Sequence, residues 1–378
     1  MNEARIARAS DAAEDARFMA LAFALGRRGL GNCWPNPAVG AVVVRQEAGG
    51  PVIVGRGWTQ PGGRPHAEAE ALRRAGAATR GATLYATLEP CSHHGRTPPC
   101  ADAVIAAGIA RVVSAMDDPN PEVAGAGHAR LRAHGVAVTV GVGAEEARRA
   151  HAGHIRRVHE GRPHVTLKLA VSADEKAGLA GRRPAAITGE AARARVHLMR
   201  AQSDAILTGI GTVLADDPQL TCRLPGLTAR SPVRVVLDSA LRIPPDGRLV
   251  ASAAAAPLWV VAGTDASPAA EAALRARGVD VIRAGGARPL DLGQVLRALG
   301  SRGITRVMVE AGPILSSALL AADLIDEAVL LRGPLAIGAE GIDALEGLPL
   351  AALTDGSNLQ QTGSDILGAD RVELFERV

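Results

Sequence analysis

The sequence has few aromatic residues, few cysteines and no long apolar run. Phe, Trp and Tyr make up 2% of its 378 residues, so the core must be packed from aliphatic side chains. Four cysteines, Cys33, Cys91, Cys100 and Cys222, do not form a dense secretory framework and indicate a reducing compartment. No apolar run reaches the ~20 residues of a membrane-spanning helix, and no export signal opens the chain. We therefore expect a cytoplasmic protein with no membrane partner.

An excess of charge of either sign is also missing. The net charge of +3 is too small for a dedicated nucleic-acid-binding protein, although local arginine clusters can still receive a phosphorylated metabolite. Apolar residues make up 47% and charged residues 21% of the chain, which excludes a disordered or collagen-like protein. A chain of this length usually folds as two domains.

Strand and helix patterns alternate along the chain and predict α/β domains. A charged helical stretch at 145–160 ends at Gly161, with Pro163 close behind, and both are helix-stop signals. We place the domain boundary there, giving domains 1–161 and 162–378. The main helices are predicted at 11–28, 66–75, 100–107, 127–134, 190–201, 268–277, 292–300 and 314–321. The main strands are predicted at 38–45, 52–58, 83–87, 111–115, 136–140, 164–171, 205–208, 233–238, 258–262, 279–283, 306–310, 327–331 and 371–376.

Two motifs in the first half combine the residues of a catalytic zinc site. One is Pro65-His66-Ala67-Glu68, and the other runs from Glu89-Pro90-Cys91 to Pro98-Pro99-Cys100. One histidine and two thiolates give zinc three protein ligands and leave a fourth position open, as catalytic sites do. Glu68 is placed to carry a proton between water and a leaving amine. Because residues two apart diverge on a regular helix, His66 and Glu68 can share a site only at an irregular helix start.

Zinc-dependent nucleobase deaminases carry H-x-E followed by P-C-x-x-C. This chain keeps every element except the short cysteine spacing, because eight residues separate Cys91 from Cys100. Unrelated buried thiols and a surface histidine are the alternative interpretation, which the order of the motifs disfavours. For His93 alone, a solvated loop histidine and a substrate contact remain equally open.

The first half resembles the cytidine-deaminase-like fold, and its long cysteine loop resembles the riboflavin-biosynthesis deaminase. The matching segments are 35–40, 65–68 and 87–100. The resemblance implies that His66, Cys91 and Cys100 bind Zn²⁺, that Glu68 moves protons, and that Asn36, His93 and Arg96 bind substrate. Thr59 departs from the family, in which many members have a histidine in the substrate pocket.

The second half resembles the reductase partner of the same bifunctional family, with a dihydrofolate-reductase-like fold. The matching segments are 167–170, 200–209, 212–223 and 309–313. The resemblance implies that Ala170, Thr212, Asp216 and Gly312 lie along NADPH. It also implies that the phosphorylated substrate is bound by Lys168, Arg200, Leu220, Arg223 and Glu310. Arginine suits phosphate because its fork donates two hydrogen bonds at once. Residues 310–313 also open a helix whose free N–H groups can receive phosphate, or form an ordinary strand-to-helix turn.

Three residues depart from the reductase pattern. The usual Asp-Gly pair is Asp174-Glu175 here, so Glu175 replaces the glycine, and Pro184 and Ala186 stand where the cofactor strand usually has Ser and Trp. These departures concern the strength of the reductase and leave the zinc motifs untouched.

The resemblance implies a bifunctional, homo-oligomeric enzyme of riboflavin biosynthesis. It would deaminate a phosphorylated diaminopyrimidinone and then reduce its ribosyl chain to ribityl with NADPH. Three alternatives remain at this point. They are a deaminase with a degenerate reductase domain, a nucleic-acid base deaminase, and a binding protein with a structural zinc. The small net charge and wide cysteine spacing disfavour the second, and the retained Glu68 disfavours the third.

Overall fold

Helices and strands alternate along a chain that divides into two units, Met1–Gly161 and Arg162–Val378. The structure, a computed structural model, describes residues 2–93, 98–121, 123–356 and 358–378, with the backbone alone for 2–10. None of the helices in these ranges combines the length and apolarity needed to cross a membrane. Both units are α/β, as the sequence patterns predict.

The first unit begins with a long helix and continues as alternating strands and helices. Its helices are α1 (Asn2–Gly26), α2 (Ala67–Ala75), α3 (Cys100–Ala106), α4 (Ala126–Ala133), α5 (Ala144–Ala150) and α6 (Ala152–Glu160). Its strands are β1 (Gly40–Glu47), β2 (Gly50–Trp58), β3 (Thr83–Ala86), β4 (Arg111–Ser114) and β5 (Ala137–Val140).

These strands form one sheet in the order β2-β1-β3-β4-β5, with a core on each face. Pairing is antiparallel between β1 and both of its neighbours, and parallel from β3 to β5. Because side chains alternate along a strand, β1 sends Ala41 and Val43 toward α2 and α3, and Val42 and Val44 toward α1. The α1 face also contains Tyr85, the only tyrosine of the chain. The candidate zinc residues follow two of these strands: His66 lies between β2 and α2, and Cys91 and Cys100 lie in the segment that follows β3.

Helix α2 packs directly on the backbone of β2, and glycine permits this contact. A Cβ atom at Gly57 would lie 2.1 Å from the Ala67 carbonyl oxygen, and one at Gly55 would lie 2.2 Å from the Ala71 carbonyl oxygen. Neither distance is tolerated between real atoms, so only glycine fits at these two positions. The edge strand therefore fixes the position of the helix that carries Glu68.

The sequence predicts one helical stretch at 145–160, and the structure divides it. Helix α5 ends at Ala150, α6 begins at Ala152, and His151 between them has φ −101° and ψ 12°. The His151 side chain turns inward and its Nε2 lies 3.0 Å from the Thr87 carbonyl oxygen. A buried tertiary contact thus overrides the local helical pattern. Gly161 follows with φ 69°, a left-handed helix C-cap.

The second unit repeats the α/β alternation around a larger sheet. Its helices are α7 (Glu190–Ala201), α8 (Ile210–Asp216), α9 (Arg248–Ala251), α10 (Pro268–Arg275), α11 (Leu292–Ser301), α12 (Pro313–Ala321) and α13 (Ala351–Thr354). Its strands are β6 (His164–Val171), β7 (Lys176–Gly178), β8 (Ala205–Gly209), β9 (Val233–Leu237), β10 (Leu258–Ala262), β11 (Asp280–Arg283), β12 (Arg306–Val309), β13 (Glu327–Arg332), β14 (Ile342–Asp343), β15 (Leu359–Leu367) and β16 (Asp370–Arg377).

The large sheet has the order β11-β10-β9-β8-β12-β6-β13-β16-β15, and β7 pairs separately with β14. Neighbours are parallel from β11 to β13, and the hairpin β15–β16 adds two antiparallel strands at one edge. Strands β8 and β12 are parallel neighbours, and each is followed by a helix. The N-termini of α8 and α12 therefore lie at the same edge of the sheet, where α/β folds bind ligands.

Candidate active sites

The three predicted zinc ligands converge in the first unit. His66 Nδ1 lies 3.7 Å from Cys91 Sγ and 3.4 Å from Cys100 Sγ. All three ligand atoms lie within 4.8 Å of one another. Tetrahedral zinc with ordinary Zn–N and Zn–S bonds holds its ligand atoms roughly 3.6 Å apart. The donor set and its spacing therefore fit Zn²⁺.

Local structure brings these ligands together. His66 is the N-cap of α2 and has extended backbone angles, φ −66° and ψ 161°, so that Glu68, only two residues later, faces the same space. Cys100 opens α3, and its backbone N–H donates to Cys91 Sγ at 3.3 Å. The hydrogen bond between the two cysteine side chains lowers the pKa of Cys91 to about 4. A thiolate at Cys91 is the form that binds metal.

Glu68 lies beside the ligand set but is not part of it. Its residue is 4% exposed. Burial raises the pKa of Glu68, and the nearby His66 partly opposes that rise. A carboxyl group with a raised pKa exchanges protons more readily near neutral pH.

Asn36 lies on the other side of the His66 ring. Its Nδ2 donates to the Gly63 carbonyl oxygen at 2.8 Å and lies 3.2 Å from His66 Nε2. Gly63 has φ 84°, and a Cβ there would lie 2.8 Å from Asn36 Nδ2, so glycine is required. Thr59, the departure from the family, is buried and ties this loop to β2. Its hydroxyl donates to the Pro37 carbonyl oxygen at 2.9 Å and accepts from the Val39 N–H at 3.0 Å.

The other predicted substrate contacts are less defined. His93 is exposed. Arg96 lies outside the described residues.

Glu89 has a structural role that its motif did not reveal. Its buried carboxylate accepts backbone N–H groups from Asp118, Gly125, Gly127 and His128, at 2.9, 2.9, 2.7 and 3.2 Å. Glu89, Asp117 and His128 also lie close enough to bind an ion. Four N–H donors around one carboxylate leave it satisfied, so this cluster anchors the loop after β4.

The sequence analysis did not name Asp118, in the loop after β4, or His154, in α6, whose side chains lie close together in the structure. His154 Nε2 lies 3.8 Å from Asp118 Oδ1, and the Asn120 N–H donates to the same carboxylate at 2.9 Å. Burial alone would raise the pKa of Asp118, but His154 and the Asn120 N–H hold it below its ordinary value, and His93 adds to this effect. The polar run Asp117-Asp118-Pro119-Asn120 at the end of a parallel strand was the available signal.

In the second unit, Arg200 and Glu310 form a nearly buried ion pair. Arg200 Nε and Nη2 donate to the two Glu310 oxygens at 2.6 and 2.9 Å, and Nη1 donates to the Thr221 carbonyl oxygen at 3.0 Å. Burial would raise the pKa of Glu310, but the Arg200 hydrogen bonds keep it lowered. Burial lowers the pKa of Lys168, and Glu310 opposes that shift. The three predicted residues thus form one charged cluster.

Leu220 and Arg223 lie differently from Arg200. Leu220 is 4% exposed and its side chain packs in the apolar core with Val213 and Ile243. Its backbone has φ 54°, a strained value for leucine. Because the side chain is buried in this core, it does not offer a surface to a ligand. The Arg223 side chain is exposed, while its N–H donates to His197 Nδ1 at 3.3 Å.

Two of the predicted cofactor residues touch each other. The Gly312 N–H donates to Thr212 Oγ1 at 3.2 Å and joins the starts of α8 and α12. Helix α12 begins with Pro313, so the N–H groups of its first turn face the edge of the sheet. Paired helix N-termini fit the phosphates of a dinucleotide. Ala170 lies half-buried on β6, and Asp216 is exposed at the end of α8.

The three residues that depart from the reductase pattern, Glu175, Pro184 and Ala186, are all described in the structure. Glu175 has φ 63°, a left-handed conformation that glycine adopts without strain, and its carboxylate lies 3.1 Å from Arg332 Nη1. Pro184 and Ala186 lie exposed in an irregular segment before α7.

Comparisons with known proteins cover both units. The family described as the cytidine and deoxycytidylate deaminase zinc-binding region matches residues 12–116. The family described as the RibD C-terminal domain matches residues 163–371.

Relatives align along nearly the whole chain. The riboflavin biosynthesis protein RibD of Escherichia coli K12 is 42% identical, over 89% of this chain and 92% of the relative. The riboflavin biosynthesis protein RibD of Aquifex aeolicus is 38% identical, over 96% of this chain and 98% of the relative.

Solved structures agree with these matches. RibD of Acinetobacter baumannii has a TM-score of 0.84 at 34% identity and covers 97% of this chain and 99% of its own. A diaminohydroxyphosphoribosylaminopyrimidine deaminase/5-amino-6-(5-phosphoribosylamino)uracil reductase of Thermotoga maritima has a TM-score of 0.82 at 34% identity. It covers 97% of this chain and 100% of its own.

Proposed function

Because the chain belongs to the RibD family of riboflavin biosynthesis proteins, we propose that its first unit deaminates a phosphorylated diaminopyrimidine and its second unit reduces the product. The enzyme is bifunctional, a deaminase joined to a reductase, with Zn²⁺ and NADPH as its cofactors. The convergence of His66, Cys91 and Cys100 beside Glu68 is the observation that carries the first activity. We assign residues 1–161 to the deaminase and residues 162–378 to the reductase.

The proposed substrate is 2,5-diamino-6-(5-phosphoribosylamino)pyrimidin-4-one. Deamination consumes one water and releases the C2 amino group as ammonia. Bound zinc supplies a Lewis acid that lowers the pKa of water. His66, Cys91 and Cys100 would hold the metal. Glu68 takes one proton from water and returns it to the departing nitrogen, and its burial beside the ligands supports that role.

Substrate binding in the first unit is assigned to three residues. Asn36 is proposed to contact the pyrimidine, since its amide lies next to His66. His93 is proposed to contact the substrate, and Arg96 to contact the ribose phosphate, as the family resemblance implies. Charge-assisted hydrogen bonds from an arginine suit a phosphate group.

The second reaction adds a hydride and a proton to the ribosyl chain and yields ribityl. NADPH supplies the hydride. Ala170, Thr212, Asp216 and Gly312 are proposed to line it, with the joined starts of α8 and α12 receiving phosphate. Lys168, Arg200, Leu220, Arg223 and Glu310 are proposed to surround the substrate. Arg200 spends three N–H groups on protein acceptors, so we assign it mainly to holding Glu310 in place.

Product analysis tests the two activities separately. The purified protein is incubated with the diamino substrate, with and without NADPH, and the products are identified by mass. We expect the deaminated compound without NADPH and its ribityl derivative with NADPH. Deaminated product alone in both samples would indicate a degenerate reductase. Unchanged substrate in a zinc-loaded sample would refute the deaminase assignment.

Two further properties follow from the same family membership. We propose a cytoplasmic location, which the four free cysteines support. We also propose a homo-oligomer, for which sedimentation velocity across a range of protein concentrations is the test. A monomer at every concentration would refute it.

A further inference from the structure

A cleft of about 390 Å³ lies on the edge strand of the first unit. Three arginines line it, Arg28 just beyond α1, Arg56 on β2 and Arg74 near the end of α2, together with Trp58. The Arg28 and Arg74 guanidinium groups each lie 5.1 Å from the centre of the Trp58 ring. Leu25 and Ile53 add apolar surface. We call this the arginine cleft.

The arginine cleft is separate from the zinc ligands. His66 caps the N-terminus of α2, whereas Arg74 lies eight residues further along the same helix. A helix rises ~1.5 Å per residue, so the two ends are about 12 Å apart. None of the described residues assigned to deamination lines the cleft.

Positive charge dominates the cleft. No carboxylate is found among the described residues that line it. Glu70 on α2 is the acidic group that faces it from nearby, with its Oε1 2.6 Å from Arg74 Nη2. Glu70 also binds Arg73 at 2.9 Å, so one carboxylate is shared between two guanidinium groups. Within the described residues, the charge of Arg56 is not shared with a carboxylate in this way.

Helix ends explain two of the three arginines, because cations are favoured near helix C-termini. Arg28 follows the end of α1 and Arg74 lies in the last turn of α2. Arg56 lies on a strand and has no such reason to be there. Within the described residues, its side chain forms no hydrogen bond or ion pair, while its carbonyl oxygen accepts from Arg74 Nη1 at 3.1 Å. Arg56 is exposed and lines the cleft, so its guanidinium group is accessible to an anionic ligand there.

We propose that the arginine cleft binds a small organic phosphate, a single phosphate group on a carbon skeleton that carries a flat ring. Guanidinium groups donate paired hydrogen bonds to phosphate oxygens. Trp58, Leu25 and Ile53 offer the apolar contact that an inorganic ion does not use, and the volume is that of a small-molecule site. Flat rings stack on indole and guanidinium planes alike.

Flavin mononucleotide is a suitable probe because it has one phosphate and a fluorescent planar ring. Riboflavin is the matched ligand without the phosphate. The intact, zinc-loaded protein is titrated with each, by fluorescence quenching, with excess NADP⁺ present to occupy the reductase site. We expect saturable binding of flavin mononucleotide and at least about tenfold weaker binding of riboflavin. Equal binding of the two, or no saturation by flavin mononucleotide, would overturn the proposal.

Two variants locate the binding. Arg56→Gln is expected to weaken flavin mononucleotide binding by about tenfold, since it removes one charged partner of the phosphate. Arg45→Gln removes the same charge from the adjacent strand, outside the cleft, where Arg45 pairs with Glu47. The Arg45→Gln variant is expected to bind flavin mononucleotide as tightly as the parent protein does. Equal effects of the two substitutions would reduce the binding to general electrostatics and overturn the proposal.

Competition with inorganic phosphate shows whether the cleft prefers an organic phosphate or free phosphate. Weak displacement supports an organic phosphate, whereas displacement at concentrations similar to those of flavin mononucleotide would overturn that choice. Ammonia release is measured on the same samples. Because Arg56 lies outside the catalytic set, Arg56→Gln should deaminate at the parental rate, so a failure of the deaminase assignment is recognised independently.

Discussion

Replacing Gly57 by alanine should damage the zinc site without touching a ligand. The new Cβ would lie 2.1 Å from the Ala67 carbonyl oxygen and 2.6 Å from the Ala71 nitrogen. Ordinary contacts begin at 3.4 Å, so α2 must retreat by about 1.3 Å, the difference between 3.4 and 2.1 Å. Metal ligands tolerate displacements of only ~0.2 Å. We therefore expect zinc content and ammonia release to fall together.

The energetic cost of this substitution is that of an overpacked core, about 1–3 kcal/mol. Thermal unfolding measures it, and metal analysis after dialysis measures the zinc. Reduction of the deaminated substrate by NADPH is the internal control, since the second unit is untouched. Gly49→Ala is the matched variant, because a Cβ there has no neighbour within 4 Å and the backbone has no positive φ. Parental zinc content and deamination in Gly57→Ala would refute the reasoning.

The remaining predictions concern single side chains. Cys91→Ser should lower zinc from about one per chain and abolish ammonia release, and full activity in a metal-free sample would contradict this. Glu68→Gln should keep the zinc but stop ammonia release, because an amide carries no proton; turnover equal to that of the parent would remove Glu68 from its role. Arg200→Ala should raise KM for the deaminated substrate and cost about 3–5 kcal/mol in thermal unfolding, because buried Glu310 loses its partner; an unchanged melting temperature would argue against the pair. Glu175→Gly should stabilise the protein by about 1 kcal/mol by relieving its left-handed backbone, whereas Glu175→Ala should not, and equal melting temperatures of the two would refute the explanation.

The α/β class and the main strands were predictable because their signals are local. Apolar runs such as those at β8 and β10 identify buried parallel strands. The zinc ligands were predictable for the same reason, since each lies in a short motif directly after a proline. The comparisons with known proteins confirm the zinc-binding deaminase and the reductase families.

Other features depend on contacts between residues far apart in sequence. Strand β15 was missed because most of its residues are exposed and polar, so no alternation marks it. Helix α8 was missed because it is short and starts with Ile210-Gly211. The division of α5 from α6 comes from the His151 contact with Thr87, 64 residues away. The pairing of Arg200 with Glu310 spans 110 residues, and sequence alone treated both as substrate contacts.

Tyr85 gives the first unit an optical label of its own. It is the only tyrosine in the chain, it is 1% exposed, and its ring lies 5.3 Å from that of Phe18. Its hydroxyl donates to Asp15 at 3.0 Å, and burial raises its pKa above the ordinary value. Tyrosinate absorbance at alkaline pH therefore reports exposure of this one core. Unfolding of the deaminase unit can thus be followed in the intact chain without a label, because the reductase unit contains Trp259 but no tyrosine that could ionise.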